Sequence, residues 1–246
     1  MQKAHIPGKK RDALEDSRGT LKQEGGCLET GKRYAMSVVP LQGNGTTPCE
    51  MAMDKNMVLK KVLYKLVCRG GNEKMLTKTP HRDYLDLAAI YRVPAGRMHG
   101  RESSFVVQNR LCSELGITLE ELDAAAYRNT KKEWFKTGAL DVSTSSRGTP
   151  FLYEVIGGGM LYGSNALLYP ECLDEVAGML HDDLYILAFN MHQLIAGPAA
   201  GVDAKSLARA AYAIGHAGVP LEYSLSNSVY MYIRSARSLV VAHTIS

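Results

Sequence analysis

Asn190, His192 and Gln193 form the one local group of polar residues whose types could do chemistry. An imidazole can act as a general base near neutral pH or as a metal ligand, but each role needs further groups around it. Gln193 can neither take up a proton nor hold a negative charge. On a strand, Asn190 and His192 would share one face and could form a small polar network. We therefore take His192 and Asn190 as candidate catalytic residues, while the pattern favours a structural histidine held by a backbone carbonyl.

A second set of polar residues can be assembled only from distant positions. His81 lies near Asp83 and Asp86 at the entrance of a predicted strand. A triad of His192, Asp86 and Ser164 can be written down, yet no nucleophile elbow or sequence spacing selects it. This set is therefore a weaker candidate than the group around His192.

Cofactor and metal motifs are also missing from the sequence. The glycines at 157–159 lack the lysine and hydroxyl residue that a phosphate-binding loop carries into its helix, and they suit a hairpin turn between two strands. The five cysteines are odd in number and scattered, without a C-x-x-C pair, which predicts free thiols. We accordingly predict no cofactor and no metal site.

Positive charge is concentrated in residues 54–82. They hold eight lysines or arginines against two acidic residues, whereas residues 151–246 hold four against eight. Within the basic segment, Lys60, Lys61 and Lys65 lie opposite an apolar stripe at helical spacing. Such a face can attract nucleic acid, and it is also what any solvent-exposed helix requires. The three lysines are candidate nucleic-acid-binding residues, with a solvated helix face as the favoured alternative.

Length and composition are those of a globular protein. The chain has 246 residues, of which 46% are apolar, enough for a sizeable core in one or two domains. The basic N-terminus is followed by no apolar segment, so we predict no secretory signal, and no apolar run is long enough to span a bilayer. These features predict a cytoplasmic protein without a membrane partner.

The first third of the chain divides at Asp54. Residues 1–53 are rich in glycine and charge without periodicity and predict a poorly ordered segment, apart from a short strand at 34–39. Asp54 suits the N-cap of a helix that continues until Gly70 and Gly71 stop it. We therefore expect one domain over residues 54–246.

Capping and turn residues predict the elements that follow. Thr118 and Glu121 have the spacing of a capping box, and Ile117 and Leu122 fit the hydrophobic staple around it. A serine- and threonine-rich connector at 137–150 separates two halves. The predicted elements of the first half are strands at 84–93 and 104–108 and helices at 109–115 and 118–129.

The second half, residues 151–246, repeats a simple order. Two strands precede a helix at 170–181, two more precede a helix that Asp203 caps, and a hairpin ends the chain. Connections of a few residues cannot form parallel crossovers, so these strand pairs must be antiparallel. The sequence predicts an α+β fold with a largely antiparallel sheet built from strand-strand-helix units.

Five segments carry a family resemblance. They are VLKKVLYKLVCRGGN at 58–72, LTKTPHRDYLDL at 76–87, the region 106–129, LYGSNALLYPECLDEVAGMLHDDLYIL at 161–187, and LSNSVYMY at 225–232. In order and wording they resemble the bacterial family of domains of unknown function DUF5688, over residues 54–245. The resemblance implies an architecture and no activity.

Two departures from the family pattern bear on function. After the strand that ends at Leu187 the family shows Pro-Ser-Ser-x-His-Glu, where this chain reads Ala-Phe-Asn-Met-His-Gln and keeps only the histidine. Residues 1–53 match nothing in the family, so its N-terminal part is divergent or missing here. The resemblance therefore implies that any chemistry of that motif has been lost in this copy.

These observations predict a non-enzymatic or vestigial module that binds a protein partner through its sheet or exposed strands. The lack of a convergent catalytic set and the altered histidine motif motivate this prediction. One alternative is a hydrolase-like enzyme centred on His192. Another is a low-specificity nucleic-acid binder that uses the basic segment 55–65.

Overall fold

The computed structural model describes residues 33–40, 47–98, 101–136, 141–144, 153–156, 162–218 and 223–244. All of them belong to the unit Lys32–Ser246 of the chain. Within these ranges, two antiparallel sheets of six strands each are combined with α-helices. This confirms the predicted α+β class and the antiparallel pairing.

The first sheet is formed by the first half of the chain. Its strands are β1 (Arg33–Pro40), β2 (Thr47–Ala52), β3 (Leu63–Cys68), β4 (His81–Tyr84), β5 (Leu87–Met98) and β6 (Arg101–Val106). The strand order is β2-β1-β6-β5-β3, and β4 also pairs with β5. β3 therefore forms one edge of this sheet.

The second sheet is formed by the second half of the chain. Its strands are β7 (Asp141–Thr144), β8 (Tyr153–Ile156), β9 (Leu184–Asn190), β10 (Gln193–Pro198), β11 (Ser228–Ile233) and β12 (Ser238–Thr244). Their order is β12-β11-β9-β10-β8-β7. The β9–β10 and β11–β12 hairpins correspond to the strand pairs that the sequence predicts, and β12 is an edge.

Two helices begin where the sequence places their N-caps. The Asp54 carboxylate accepts a hydrogen bond from the Met57 amide at 2.7 Å. In the capping box, the Thr118 amide donates to the Glu121 carboxylate at 3.0 Å, and the Glu121 amide donates to the Thr118 hydroxyl at 3.2 Å. These contacts satisfy amides that the first helical turn leaves unpaired. The helices are α1 (Lys55–Lys61), α2 (Glu73–Leu76), α3 (Asn109–Leu115), α4 (Leu119–Lys136), α5 (Pro170–Leu180) and α6 (Ala204–Gly218).

One hydrophobic core joins the two sheets. The first sheet contributes buried side chains such as Leu66 and Tyr91, and the second contributes Ile186 and Tyr230. Helices α1, α3, α4 and α5 add buried residues to the same cluster. Smaller clusters lie elsewhere, with Ala208 of α6 against the second sheet and Leu76 of α2 against the first.

The helix predicted from Asp54 to the glycines at 70–71 is wrong in its second half. α1 ends at Lys61, and the extended backbone of Val62 (φ −62°, ψ 137°) leads into β3. Both faces of β3 are buried, and only Lys65 and Cys68 are half-buried. A strand covered on both faces lacks the alternation of polar and apolar residues, so its paired apolar residues imitate helical spacing.

The strand predicted after the triple glycine is wrong over residues 162–168. Tyr162 adopts a left-handed backbone (φ 55°), and Gly163–Leu168 form a 3₁₀ helix. The strand that was expected to end at Pro94 continues to Met98, with a shift of register just after the proline. Proline is tolerated at such a bulge because no ladder hydrogen bond from its nitrogen is needed there.

Several sequence predictions fall partly or wholly outside the described residues. β1 contains the predicted strand at 34–39, whereas β2 was not predicted, and β7 lies within the predicted connector. Residues 1–32 lie outside the described residues, as do the glycines at 157–159. The poor order of the N-terminal segment and the glycine hairpin turn stay predictions.

Candidate functional site

The residues singled out by the sequence lie at the turn of the β9–β10 hairpin. Asn190 ends β9, Gln193 begins β10, and Met191 and His192 form the turn. The Asn190 side-chain oxygen accepts a hydrogen bond from the His192 amide at 2.8 Å, and its amide nitrogen donates to the Gln193 side chain at 3.3 Å. Asn190 and His192 thus share a turn held by the asparagine side chain, and the expectation of a common strand face is wrong.

The 3₁₀ helix closes the end of this hairpin. Ser164 is fully buried, and its hydroxyl lies 2.6 Å from the Asn190 carbonyl oxygen and 2.9 Å from that of Gln193. The Gly163 amide donates to the His192 carbonyl at 3.0 Å. Because the single hydroxyl proton is shared between two carbonyl oxygens, Ser164 acts as a clamp on the turn.

The His192 ring is half-buried between two tyrosines. It makes an edge contact with the Tyr162 ring, with centroids 5.5 Å apart, and a tilted contact with the Tyr223 ring at 5.1 Å. The buried Arg92 guanidinium lies over the ring of Tyr162, 4.0 Å from its centroid. The turn therefore brings an imidazole from the second sheet close to a cation from the first.

This environment keeps the His192 imidazole neutral. Burial lowers its pKa, and the positive charges of Lys65 and Arg92 lower the pKa further. Its Nδ1 lies 3.3 Å from the Tyr162 amide, which donates to it. A neutral imidazole that accepts at Nδ1 carries its proton on Nε2, so it has no further nitrogen with which to accept a proton from a substrate. The arrangement suits a structural histidine. A backbone amide holds the ring, where the sequence predicts a backbone carbonyl.

Asp86 is engaged elsewhere, in a contact between the two sheets. It lies in the turn between β4 and β5, and its carboxylate accepts hydrogen bonds from Ser226 at 2.7 Å, Ser228 at 2.9 Å and Tyr230 at 2.6 Å. Burial and the Asp86 charge raise the pKa of Tyr230. We call Asp86 and these three hydroxyl residues the Asp86 clasp. His192, Asp86 and Ser164 therefore do not form a triad. Ser164 bonds to the β9–β10 turn, Asp86 bonds to Ser226, Ser228 and Tyr230, and His192 accepts from the Tyr162 amide.

A cleft opens beside the Asp86 turn. His81 Nδ1 lies 2.8 Å from the Thr79 carbonyl oxygen, which places the proton of the neutral ring on Nδ1. The Asp83 carboxylate pairs with the Arg69 guanidinium at 3.4 Å, and it lies 3.8 Å from His81 Nε2. The cleft has a volume of about 520 Å³ and is lined by Arg69, Gly70, Glu73, Leu76, Thr77, His81, Asp83 and Asp86.

The candidate lysines do not form one helical face. Lys60 and Lys61 are exposed in the last turn of α1, whereas Lys65 is half-buried on β3. Lys55, at the start of α1, forms an ion pair with Glu121 at 2.7 Å. The correction to the helix after Lys61 therefore divides the predicted basic face between a helix and a strand.

A second carboxylate with three partners has no signal in the sequence. Asp123 on α4 accepts hydrogen bonds from the hydroxyls of Tyr64 at 2.8 Å and Tyr91 at 2.7 Å, and it pairs with Arg82 at 2.7 Å. Burial and the Asp123 contact raise the pKa of both tyrosines. No local pattern signals this group, because Asp123 follows Glu120 and Glu121 on a helix whose polar residues read as a solvent-exposed face.

The described part of the chain contains neither a cluster of metal ligands nor a membrane-spanning helix. No group of three or more His, Cys, Asp or Glu residues there could hold a metal ion. Cys68, Cys112 and Cys172 are free, and burial raises the pKa of the Cys172 thiol to about 12. No described helix is both long and apolar enough to cross a membrane.

Comparison with known proteins identifies a family. The model of DUF5688, a family of unknown function, matches residues 41–141 and 136–234. The match confirms the resemblance seen in the sequence and begins ahead of Asp54, where the sequence placed its start. Neither the curated proteins nor the solved structures give a match.

Proposed function

Since the chain belongs to the DUF5688 family, whose function is unknown, we propose from its geometry that it is a non-enzymatic module that binds a protein partner along an open sheet edge. The observation that carries the proposal is a contrast between two edge strands, β3 and β12. Strand edges present rows of amide and carbonyl groups that pair readily with another chain. Whether an edge is covered or open therefore bears on whether it can bind another strand.

The β3 edge is covered by side chains. The Tyr64 amide donates to the Thr130 hydroxyl at 2.9 Å, and the Tyr64 carbonyl accepts from the Asn165 side chain at 3.0 Å. The Asn129 side chain donates to the Val62 carbonyl at 3.0 Å. These contacts occupy backbone groups of Val62 and Tyr64 with which another strand would pair.

The described β12 edge has neither charged residues nor proline to protect it. Among the described strands β12 pairs with β11 alone, and Ser238–Thr244 contains no proline, lysine, arginine or acidic residue. Val240 and Val241 are each 40% exposed. Charged residues and prolines are among the devices that keep natural edge strands from pairing. An uncharged, valine-bearing edge favours the addition of an extended strand from a partner.

The contacts of the candidate catalytic residues support a binding role over a hydrolytic one. The Asn190 side chain and the Ser164 hydroxyl hold the β9–β10 turn, and His192 accepts a backbone amide. Catalysis would require at least one of these groups to be available to a substrate. Lys60, Lys61 and Lys65 are likewise divided between α1 and β3, and so they lack the single helical face on which the nucleic-acid alternative was based.

Two measurements test the proposal. Turnover of ester, amide or phosphate substrates by the pure protein, abolished in His192→Ala with the fold intact, would contradict it. Affinity capture from an extract of the encoding organism should retain a protein with the wild type and with Val202→Lys but not with Val241→Lys. The two valines are matched in exposure, at 41% and 40%. Retention of nucleic acid at low salt, lost on charge reversal of Lys60 and Lys61, would favour the nucleic-acid alternative.

A further inference from the structure

We propose that the β12 edge pairs with the β12 edge of a second copy of this chain, so that the two second sheets form one continuous antiparallel sheet. This inference rests on the proposed binding function and names its partner. It follows from the charge, shape and register of β12.

The strand is chemically suited to pair with itself. The segment from Ser238 to Thr244 contains no lysine, arginine or acidic residue, so two copies approach without such like charges facing each other along the strand. Valine is favoured on strands, where cross-strand contacts between branched side chains stabilise pairing. Pairing also covers Val240 and Val241, two of the most exposed large apolar side chains in the described part of the chain.

A bulge limits the flat part of the edge. β11 pairs Tyr230 with Val241 and Val229 with His243, so Ala242 is the extra residue on β12. Bulges bend a strand and interrupt its ladder. The pairing segment is therefore Ser238–Val241. A two-fold axis at Val240 places Val240 opposite its own copy and Leu239 opposite Val241 of the second copy, since opposed residues lie on the same face of a sheet.

The charges beside β12 select the antiparallel arrangement. Arg234 and Arg237 are exposed in the turn that precedes β12, and the Arg237 guanidinium is 2.6 Å from the Asp174 carboxylate. In an antiparallel pair the two turns lie at opposite ends of the interface. A parallel pair would place the arginine-bearing turns of both copies side by side, where like charges repel. The antiparallel pair is also closed by two-fold symmetry, so it stops at a dimer.

Sedimentation velocity of the full chain over a hundredfold range of concentration tests the inference. We expect a reversible monomer–dimer equilibrium, since a four-residue pairing segment makes a small interface of the weak, transient kind. Val241→Lys should raise the dimer Kd at least tenfold, while Val202→Lys should leave it within twofold. Circular dichroism and the Tm show whether each variant is folded. Amide exchange in residues 238–241 should slow as the wild-type concentration rises.

Each other outcome overturns the inference. A wild type that stays monomeric excludes the second copy, and if Val241→Lys then abolishes capture from extract, a foreign strand occupies the edge. A dimer that persists unchanged in Val241→Lys places the interface elsewhere. These outcomes differ from turnover lost in His192→Ala, which would contradict the proposed function itself.

Discussion

At the scale of single residues, the Asp86 carboxylate joins the two sheets through three hydroxyl groups. Ser226 and Ser228 are buried. The Tyr230 side chain is fully buried, and its hydroxyl donates a hydrogen bond to Asp86. A hydroxyl taken out of water costs free energy unless it keeps a partner, and a charged acceptor gives a stronger hydrogen bond than a neutral one. The clasp is therefore a concentrated source of stability at the boundary between the sheets.

Removing the carboxylate should destabilise the protein far more than removing its neighbour on the same hairpin. Asp86→Ala leaves three hydroxyls without their acceptor, and we expect a loss of about 2–4 kcal/mol in the free energy of unfolding. Asp83→Ala, at an exposed ion pair, should cost within about 0.5 kcal/mol. Urea unfolding at pH 7 measures both.

A double-mutant cycle locates the effect within the clasp. Tyr230→Phe removes one hydrogen bond, so combining it with Asp86→Ala should cost less than the sum of the single changes by about 1 kcal/mol. Strict additivity of the two changes would show that the clasp contributes no coupling between the sheets.

His192 should give the protein a distinct dependence of stability on pH. Its pKa is lowered in the fold by burial and by Lys65 and Arg92. As the pH falls through the unfolded value of about 6.5, the unfolded chain takes up the proton first, so stability is lost below that pH. Above it the ring is neutral in both states and this contribution is constant. The slope from this one group cannot exceed about 1.4 kcal/mol per pH unit.

His192→Gln should flatten the dependence between about pH 5 and pH 7, as measured by urea unfolding at several pH values. His181→Asn is the matched control, because His181 is exposed in a left-handed C-cap (φ 55°) that asparagine tolerates. If the wild type and His192→Gln lose stability in parallel as the pH falls, the imidazole is not held neutral in the fold.

At the scale of elements, local signals predict the residues that cap helices. Asp54, Thr118 with Glu121, and Asp203 were assigned as helix caps from sequence, and each side chain accepts or exchanges the expected hydrogen bond. Such motifs are predictable because cap and partner lie within three residues of each other. Gly116 likewise ends α3 in the left-handed conformation (φ 62°) that favours glycine.

Strand β3 and the candidate site could not be predicted in the same way, because their determinants are distant in sequence. The apolar pairs of β3 have two buried faces only once the core forms on one side and Val67, Leu76 and Ile90 pack on the other. The partners of Asp86 lie at Ser226, Ser228 and Tyr230, far beyond any local pattern. Sequence could name His192 as a chemically capable residue, but only the fold shows that a backbone amide occupies its Nδ1.

Edge protection of β3 gives a test at this scale. Thr130→Val keeps the shape of the side chain and removes the oxygen that accepts the Tyr64 amide, at a site where Thr130 is only 6% exposed. We expect a loss of about 1–3 kcal/mol, because a buried amide is left without a partner. Faster amide exchange at Tyr64 should accompany the loss. Thr77→Val, at an exposed threonine, should change neither quantity; similar effects of the two substitutions would argue against edge protection.

At the scale of the whole molecule, the shared core and the Asp86 clasp make each sheet depend on the other. The main hydrophobic cluster takes residues from both sheets and from the helices that pack on them. Neither sheet has a separate large core in the described part of the chain, since the other two clusters are small. We infer that the sheets unfold together, although the sequence falls into two halves joined by a predicted connector.

A cavity placed in the first sheet should therefore weaken the second to the same extent. Leu66 on β3 is 1% exposed, and Leu66→Ala should lower the free energy of unfolding by about 2–5 kcal/mol through lost burial and the cavity left behind. Hydrogen exchange followed by mass spectrometry measures the opening free energy of each strand. In a single cooperative unit, peptides from β9 and β11 should lose the same opening free energy as peptides from β3 and β5.

Unchanged protection of β9 and β11 beside weakened β3 and β5 would mean that the halves unfold independently. Val202→Ala, at an exposed position outside the clusters, should leave the exchange of all four strands unchanged.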